Sequence, residues 1–99
     1  MKAEHISIAH KLEDIPHVGV KTATLLREAG VTEPADLSDT DALWLYNKIC
    51  SITRRTHGLR LLDILLAATD FANGSSPKPL VYFRKQREGI VAARPTISE

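Results

Sequence analysis

Residues 12–26 read LEDIPHVGVKTATLL, a stretch in which a proline and a glycine interrupt apolar residues before a helical pattern resumes. Pro16 ends any preceding helix, because proline lacks an amide hydrogen and disfavours the helical conformation in the residue before it. Apolar residues then recur at helical spacing and predict a second helix over residues 20–29. The stretch therefore encodes a short break between helical segments, with Lys21 placed two residues after Gly19.

This break has the chemistry of an anion site. The first amides of a helix have no intrahelical acceptor, and together with the helix dipole they attract negative charge. Gly19 carries no side chain and lets the backbone approach a phosphate closely. Lys21 is unfavourable beside the positive end of the dipole but well placed to neutralise a phosphate. The pattern predicts phosphate binding at the break, and a purely structural turn is the alternative.

Capping signals and periodicity define the segments on either side of this helix. A short helix is predicted near residues 7–14, ahead of the break. Gly30 is expected to end the second helix in a left-handed conformation, with Val31 making the apolar contact that accompanies such a cap. Residues 32–37 then predict a single helical turn capped by Thr32.

Two longer helices are predicted further along the chain, over residues 41–53 and 57–73. The inward side of the first is expected to consist of Leu45, Tyr46, Ile49, Cys50 and Thr53. The second is apolar except along one narrow face, which carries Arg60, Asp63 and Asp70. A helix with so narrow a polar face is typical of the centre of a domain, and we expect that face to be wet.

The remaining residues give a less definite pattern. Residues 74–79, GSSPKP, predict a hinge by composition. Residues 80–89, LVYFRKQREG, are compatible with a strand, an extended arm or a lid over the helices. Residues 90–99 show no clear period and are expected to fray.

Composition fits one ordinary globular domain of 99 residues, with 43% hydrophobic and 25% charged residues. No apolar run is long enough to span a membrane, and the first residues lack the pattern of a signal peptide. Cys50 is the one cysteine, so no internal disulfide can form. A cytoplasmic location is the default expectation.

Net charge is +1, which argues mildly against a dedicated nucleic-acid binder. The charges are unevenly distributed, however. Residues 31–47 contain four acidic residues and no basic one, whereas residues 54–60 contain three arginines and no acid. Residues 84–94 hold four basic residues against one glutamate. Such zones could create a one-sided field despite the small total charge.

Residues 14–37, DIPHVGVKTATLLREAGVTEPADL, resemble a helix-hairpin-helix motif followed by its usual connector. The matching positions are Gly19, Ala23, Gly30, Val31, Thr32, Asp36 and Leu37. With the second helix pair, the chain is similar to the two-hairpin domains of DNA repair enzymes. Over roughly residues 8–87 it most resembles a small bacterial family labelled "pathogenicity locus" or "mitomycin resistance".

The resemblance implies an all-α, five-helix, double helix-hairpin-helix (SAM-like) domain over residues 1–73, with a degenerate second hairpin. A C-terminal arm and tail would follow over residues 74–99. Phosphate contacts would come from the amides of His17, Gly19, Lys21 and Thr22. In relatives that bind a monovalent cation, hairpin carbonyls hold it, and here these would be the carbonyls of Glu13, Ile15 and Val18. The resemblance implies no cofactor, although these carbonyls could hold K+ or Na+.

His17 departs from the family pattern, because it stands where the first hairpin glycine is expected. Histidine tolerates a positive φ better than most residues, so the turn is expected to survive. The imidazole could block a close approach of the phosphate or, when protonated, add attraction. The sequence does not choose between these effects.

Three features allow both a functional and a structural reading. Arg54, Arg55 and Arg60 could hold a second phosphate or could simply be solvated. Leu43 and Trp44 could anchor a protein partner or a second copy, although partial burial of Trp44 under the C-terminal arm is favoured. Tyr82 and Phe83 could stack on bases, although pinning of the arm onto its own core is favoured.

Catalysis has little support in the sequence. Cys50 lies on an apolar helical face, and nothing pairs it with His57 as nucleophile and base. Asp39 and Asp41 are candidate helix caps rather than an acid and base pair. The prediction is a non-catalytic protein that binds DNA through backbone phosphates, accessory to DNA repair or uptake. The alternative is a protein-interaction module of the same fold.

Overall fold

The computed structural model describes residues 2–93, which form an all-helical structure without strands. The α-helices are α1 (Val20–Glu28), α2 (Ala42–Thr53), α3 (Leu59–Ala72) and α4 (Leu80–Ala93). Three 3₁₀ turns accompany them, at Ile6–Ile8, Leu12–Asp14 and Pro34–Leu37. The sequence predicts five helices, and this part of the chain contains four α-helices. None of them combines the length and apolar character needed to cross a membrane.

The helix predicted near residues 7–14 is wrong, because two separate 3₁₀ turns occupy this segment. The His5 imidazole accepts the amide of Ser7 and begins the first turn. The Asp14 carboxylate accepts the amides of His10 and Lys11 at 2.9 and 3.1 Å and begins the second. These side-chain contacts satisfy amides locally and divide the segment, which is how Asp and His compete with helical hydrogen bonds.

Helix α1 ends as the sequence predicts. Gly30 has φ +97 and donates its amide to Arg27, while the Val31 amide donates to Leu26 at 2.9 Å. These two bonds form a Schellman motif, and Val31 is buried as its apolar contact. The glycine is needed here for its backbone conformation, since other residues adopt such a φ only with strain.

The N-cap predicted at Thr32 for the turn after α1 is wrong. Thr32 does not accept an amide, and Glu33 is the N-cap residue of the turn Pro34–Leu37. The Asp36 carboxylate instead reaches back to the amides of Thr32 and Glu33 and to the Thr32 hydroxyl. These hydrogen bonds, the amides first, lower the pKa of Asp36 below its usual value.

Helix α3 is the central element, as its narrow polar face predicts. It packs against α2, α4 and the connector turn, and ten of its fourteen residues are buried. Helix α2 begins at the N-cap Asp41, whose carboxylate accepts the amides of Leu43 and Trp44. Leu45, Tyr46 and Ile49 face the core fully, while Cys50 and Thr53 are half-buried at its edge.

The segment over residues 80–89 is neither a strand nor an extended arm, since it lies within the regular helix α4, which packs on α3. Phe83 on this helix is only 2% exposed and joins the same core as α3. The wet face expected for α3 is wrong at Asp63, which is 7% exposed and forms an ion pair with Arg87 of α4. Arg60 is exposed as expected, and Asp70 is half-buried. The fraying expected for residues 90–99 does not apply to residues 90–93, which continue α4, and the rest lie outside the described residues.

We expect α4 to contribute to global stability, and Phe83→Ala tests this. Removing a buried phenyl ring leaves a cavity and should lower the free energy of unfolding by about 3–5 kcal/mol. Val81→Ala is the matched control on the same helix, because Val81 is 62% exposed and should change stability by less than about 0.5 kcal/mol. Urea denaturation followed by circular dichroism measures both. Equal effects of the two substitutions would contradict the packing of α4 on α3.

Candidate functional site

Residues 15–19 form the break that precedes α1, and two of them are anchored in the hydrophobic core. Ile15 and Val18 are fully buried, and the Val18 amide donates to the Ile15 carbonyl at 3.1 Å. Gly19 is the N-cap residue of α1 and supplies no side chain to its first amides. We call residues 15–19 the first break. Its buried apolar residues fix the backbone, so its polar groups are presented in one defined arrangement.

The amides predicted to contact phosphate have no acceptor within the part of the chain described here. Neither backbone nor side-chain hydrogen bonds engage the N–H groups of His17, Gly19, Lys21 or Thr22. His17, Gly19 and Lys21 are exposed, whereas Thr22 is buried except for a small fraction of its surface. The first turn of α1 contains no acidic residue. The N-terminus of α1 thus presents amide donors without acceptors beside one lysine, which is the composition of an anion site.

The nearest carboxylates are engaged elsewhere. Glu13 forms a two-pronged ion pair with Arg27, with N–O distances of 2.7 and 3.0 Å, and hydrogen bonding to Arg27 lowers the pKa of Glu13. Asp14 accepts two amides that precede it, of which the bond from His10 is the larger cause of its lowered pKa. Neither carboxylate reaches the amides of the first break, so no acidic side chain of residues 2–93 neutralises these donors.

His17 adopts the left-handed conformation that its place in the pattern requires, with φ +72. The turn therefore survives the replacement of glycine by histidine, as predicted. Its ring nitrogen Nε2 lies 2.7 Å from the Lys78 carbonyl oxygen and donates to it. The two residues are 61 positions apart, so the sequence pattern could not predict this contact. It turns the imidazole towards the segment before α4.

Gly19, unlike Gly30, does not have a backbone conformation that requires glycine. Its φ of −95 and ψ of −172 are accessible to any residue. A Cβ added there would meet no atom within 4 Å. Neither backbone conformation nor internal packing therefore requires a glycine at this position. The missing side chain instead leaves open space beside the free amides, as a close approach of a ligand would need.

Lys21 in the first turn of α1 and Arg55 in the segment between α2 and α3 lie on the same concavity. This shallow concavity has a volume of about 310 Å³ and is lined by Val20, Lys21, Thr24, Leu25 and Arg55. Both cations are exposed, and no acidic side chain bonds to either within the described chain. The structure thus brings one predicted arginine beside the predicted lysine, which the sequence alone could not establish.

The second break, residues 54–58, resembles the first in how the next helix starts. Gly58 is the N-cap of α3 and gives it no side-chain hydrogen bond. Arg54 occupies a left-handed position at the end of α2, and Arg60 is exposed in the first turn of α3. Neither lines the concavity. Helix α2 differs, because the Asp41 carboxylate already occupies its N-terminus. Within residues 2–93, only α1 and α3 have a glycine N-cap with a cation nearby.

The carbonyls expected to hold a monovalent cation have a partner from the chain itself. The Lys2 ammonium donates to the Glu13 carbonyl at 2.7 Å and also to the Val18 carbonyl. The third expected carbonyl, that of Ile15, accepts the Val18 amide. Lys2 is thus a site residue that the sequence analysis missed, and no spacing rule could have found it, since the pairing depends on tertiary structure.

The candidate partner-binding residues differ in exposure. Leu43 is half-buried against the core, whereas Trp44 is 58% exposed and has Lys48 over its ring at 5.1 Å. The expected burial of Trp44 is therefore wrong, because α4 packs along α3 rather than over this side of α2. Phe83 is pinned into the core as expected, but Tyr82 remains largely exposed, with its ring edge against Phe83.

Comparison with known proteins identifies the family. A profile described as Cdd1, pathogenicity locus, matches residues 5–89. The chain belongs to the pathogenicity locus family. A curated relative, "Mitomycin resistance protein McrB" of Streptomyces lavendulae, is 28% identical over 81 residues, covering 82% of this chain and 77% of that protein. No solved structure matches the chain.

The left-handed residue at position 17 gives a test of the geometry of the first break. His17→Gly and His17→Ala both remove the bond to the Lys78 carbonyl, but alanine places a Cβ in an unfavourable conformation. We expect His17→Ala to be less stable than His17→Gly by about 1 kcal/mol in urea denaturation. Equal stability of the two variants would mean that residue 17 does not keep a positive φ in solution.

Proposed function

We propose that this protein is a non-catalytic, sequence-independent DNA-binding protein that contacts backbone phosphates at the first break. The observation that carries the proposal is the pairing of Lys21 and Arg55 on one concavity, next to a first turn of α1 whose amides have no acceptor within residues 2–93. Backbone amides and cations without a base-reading element favour phosphates over base edges as ligands. The proposal places the protein in the cytoplasm, in an accessory role in DNA repair or uptake.

Two helix-hairpin-helix units in a SAM-like double arrangement are the proposed finer architecture. The pairing of breaks supports it: each precedes a helix that begins on a glycine without a side-chain cap, at Gly19 and Gly58. The Schellman end of α1 and the connector turn follow the motif in its expected order. In this proposal the second break reaches a neighbouring phosphate through Arg55, with Arg54 and Arg60 contributing charge.

The electrostatics favour an anion at the start of α1. Lys21 stands in the first turn, where the helix dipole opposes a positive charge and no acidic residue compensates it. A phosphate there would satisfy both the dipole and the lysine. With roughly two to four phosphates contacted, the logarithm of the binding constant should fall against that of salt concentration with a slope of about −2 to −4. Such binding is weak for the protein alone. The proposal also includes a slight preference for duplex over single strand.

Charge reversal at Lys21 tests the proposal directly. Wild-type protein should bind fluorescently labelled duplex in a salt-sensitive manner, and Lys21→Glu should weaken binding by roughly tenfold or more, as expected for loss of a charge-assisted contact. The salt slope should also become shallower by about one. Glutamate suits the start of a helix, so folding should be preserved. Fluorescence anisotropy at low and moderate salt measures both quantities.

The same titration has a matched control and clear contrary outcomes. Lys85→Glu makes the same charge change at an exposed position on α4 and should weaken binding much less than Lys21→Glu. Absence of salt-sensitive binding by the wild type would refute DNA as a ligand. Equal affinities of wild type and Lys21→Glu would show that the first break is not the site.

Gly19→Ala separates binding from folding, because the added methyl group meets no protein atom. The variant should remain folded, with at most about 1 kcal/mol lost from the weaker N-cap. Its affinity for duplex should nevertheless fall several-fold, since the methyl group would occupy the space that a phosphate needs beside the amides. Anisotropy and thermal unfolding on the same samples provide the two readouts. Unchanged affinity would place the phosphate away from this backbone.

A second candidate function is favoured by the exposure of Trp44. An indole that is 58% exposed is a common anchor of protein interfaces, and Ile52 on the same helix is also exposed. The fold would then act as an interaction module for another protein or a second copy, without nucleic acid. The interaction-module function would be favoured if the wild type shows no salt-sensitive binding to DNA. A solution mass measurement on wild type and Trp44→Ala would detect self-association through this side of α2.

A further inference from the structure

The Lys2 side chain reaches the first break from a segment whose main chain is itself fixed next to it. The amide of the next residue, Ala3, donates to the Asp14 carbonyl at 2.7 Å, and Ala3 is buried. This places the Lys2 side chain beside the break, where its ammonium group donates to the carbonyls of Glu13 and Val18. One cation therefore connects the 3₁₀ turn Leu12–Asp14 with the first break that follows it.

The two carbonyls point towards a common centre of positive charge. Carbonyl oxygens that converge in this way replace the hydration shell of a monovalent cation in proteins. A lysine ammonium group presents the same single charge and three donors, and charge-assisted hydrogen bonds to carbonyls are stronger than neutral ones. A free K+ or Na+ ion would need these same oxygens and would be repelled by the ammonium group.

We propose that the Lys2 ammonium group takes the place of a monovalent cation at the first break, so that this break keeps its shape without K+ or Na+. The carbonyls of Glu13, Ile15 and Val18 do not fit a free ion in this chain, because Lys2 holds two of them and the third accepts the Val18 amide. This inference concerns the folded break itself and does not depend on DNA binding.

The role of Lys2 follows from the free amides on the other side of the same loop. Closing the carbonyl side with a tethered charge fixes residues 13–18, which immediately precede the N-cap Gly19. A tethered cation is also always present at its site, whereas a dissolved ion binds only in proportion to its concentration. The break would then be preorganised under any monovalent salt.

Thermal unfolding of wild type, Lys2→Met and Lys85→Met tests the inference without DNA. Each protein is measured in KCl, NaCl and tetramethylammonium chloride at equal concentration, since the last cation is too bulky for the carbonyl site. The wild type should have the same Tm in all three salts. Lys2→Met keeps the length of the side chain but loses its charge, and its Tm in tetramethylammonium chloride should fall by roughly 4–8 °C, the shift of a typical charged contact in a domain of this size.

Potassium or sodium should restore part of the lost Tm of Lys2→Met in a saturable manner, because the vacated carbonyls would accept the ion. Lys85→Met, which loses an equivalent charge on the exposed side of α4, should respond alike to all three salts. The inference is overturned if the wild type gains stability from KCl over tetramethylammonium chloride. It is also overturned if Lys2→Met matches the wild type, or if its loss is equal in all three salts.

Discussion

Burial of α3 is the constraint from which the rest of the architecture follows. Ten of its fourteen residues are inaccessible, so every side of this helix needs a partner. Helix α2, the connector turn and α4 supply these partners, and their apolar side chains form one continuous core. Apolar burial on this scale is the dominant favourable contribution to folding, and it outweighs the local preferences of the segments that cover α3. The second break leads from α2 into α3, and the first lies ahead of α1, where the buried Ile15 and Val18 hold its backbone while its polar groups remain exposed.

Local signals predicted the parts of the fold that local interactions determine. The end of α1 at Gly30 and the start of α2 at Asp41 follow from the conformational freedom of glycine and the reach of one carboxylate. The nature of α4 could not be predicted in this way, because LVYF is rich in residues that favour strands. Its helix is selected by contacts 24 residues distant, in which Arg87 neutralises the buried Asp63. The narrow polar face of α3 was therefore correctly located, but Asp63 within it is buried rather than solvated.

In the candidate site, too, the sequence predicted what depends on local interactions but not what depends on tertiary contacts. The free amides and Lys21 could be read from the pattern around Pro16 and Gly19, since they depend only on how a helix begins. The convergence of Arg55 on the same concavity required the packing of α1 beside the end of α2. The contacts of Lys2 and of His17 required still more distant parts of the chain. A sequence pattern thus identifies which donors are available, whereas tertiary structure decides which charges accompany them.

Lys78 joins three parts of the molecule through different atoms. Its carbonyl accepts the His17 imidazole, its ammonium group forms an ion pair with Asp70 of α3, and the same group lies 5.3 Å from the Tyr82 ring. Loosening of this short connector would release the imidazole and undo the anchorage of two helices at once. Transient opening of residues 75–79 would therefore loosen the contacts of His17, α3 and α4 together, although His17 is 61 residues away from Lys78 in the sequence.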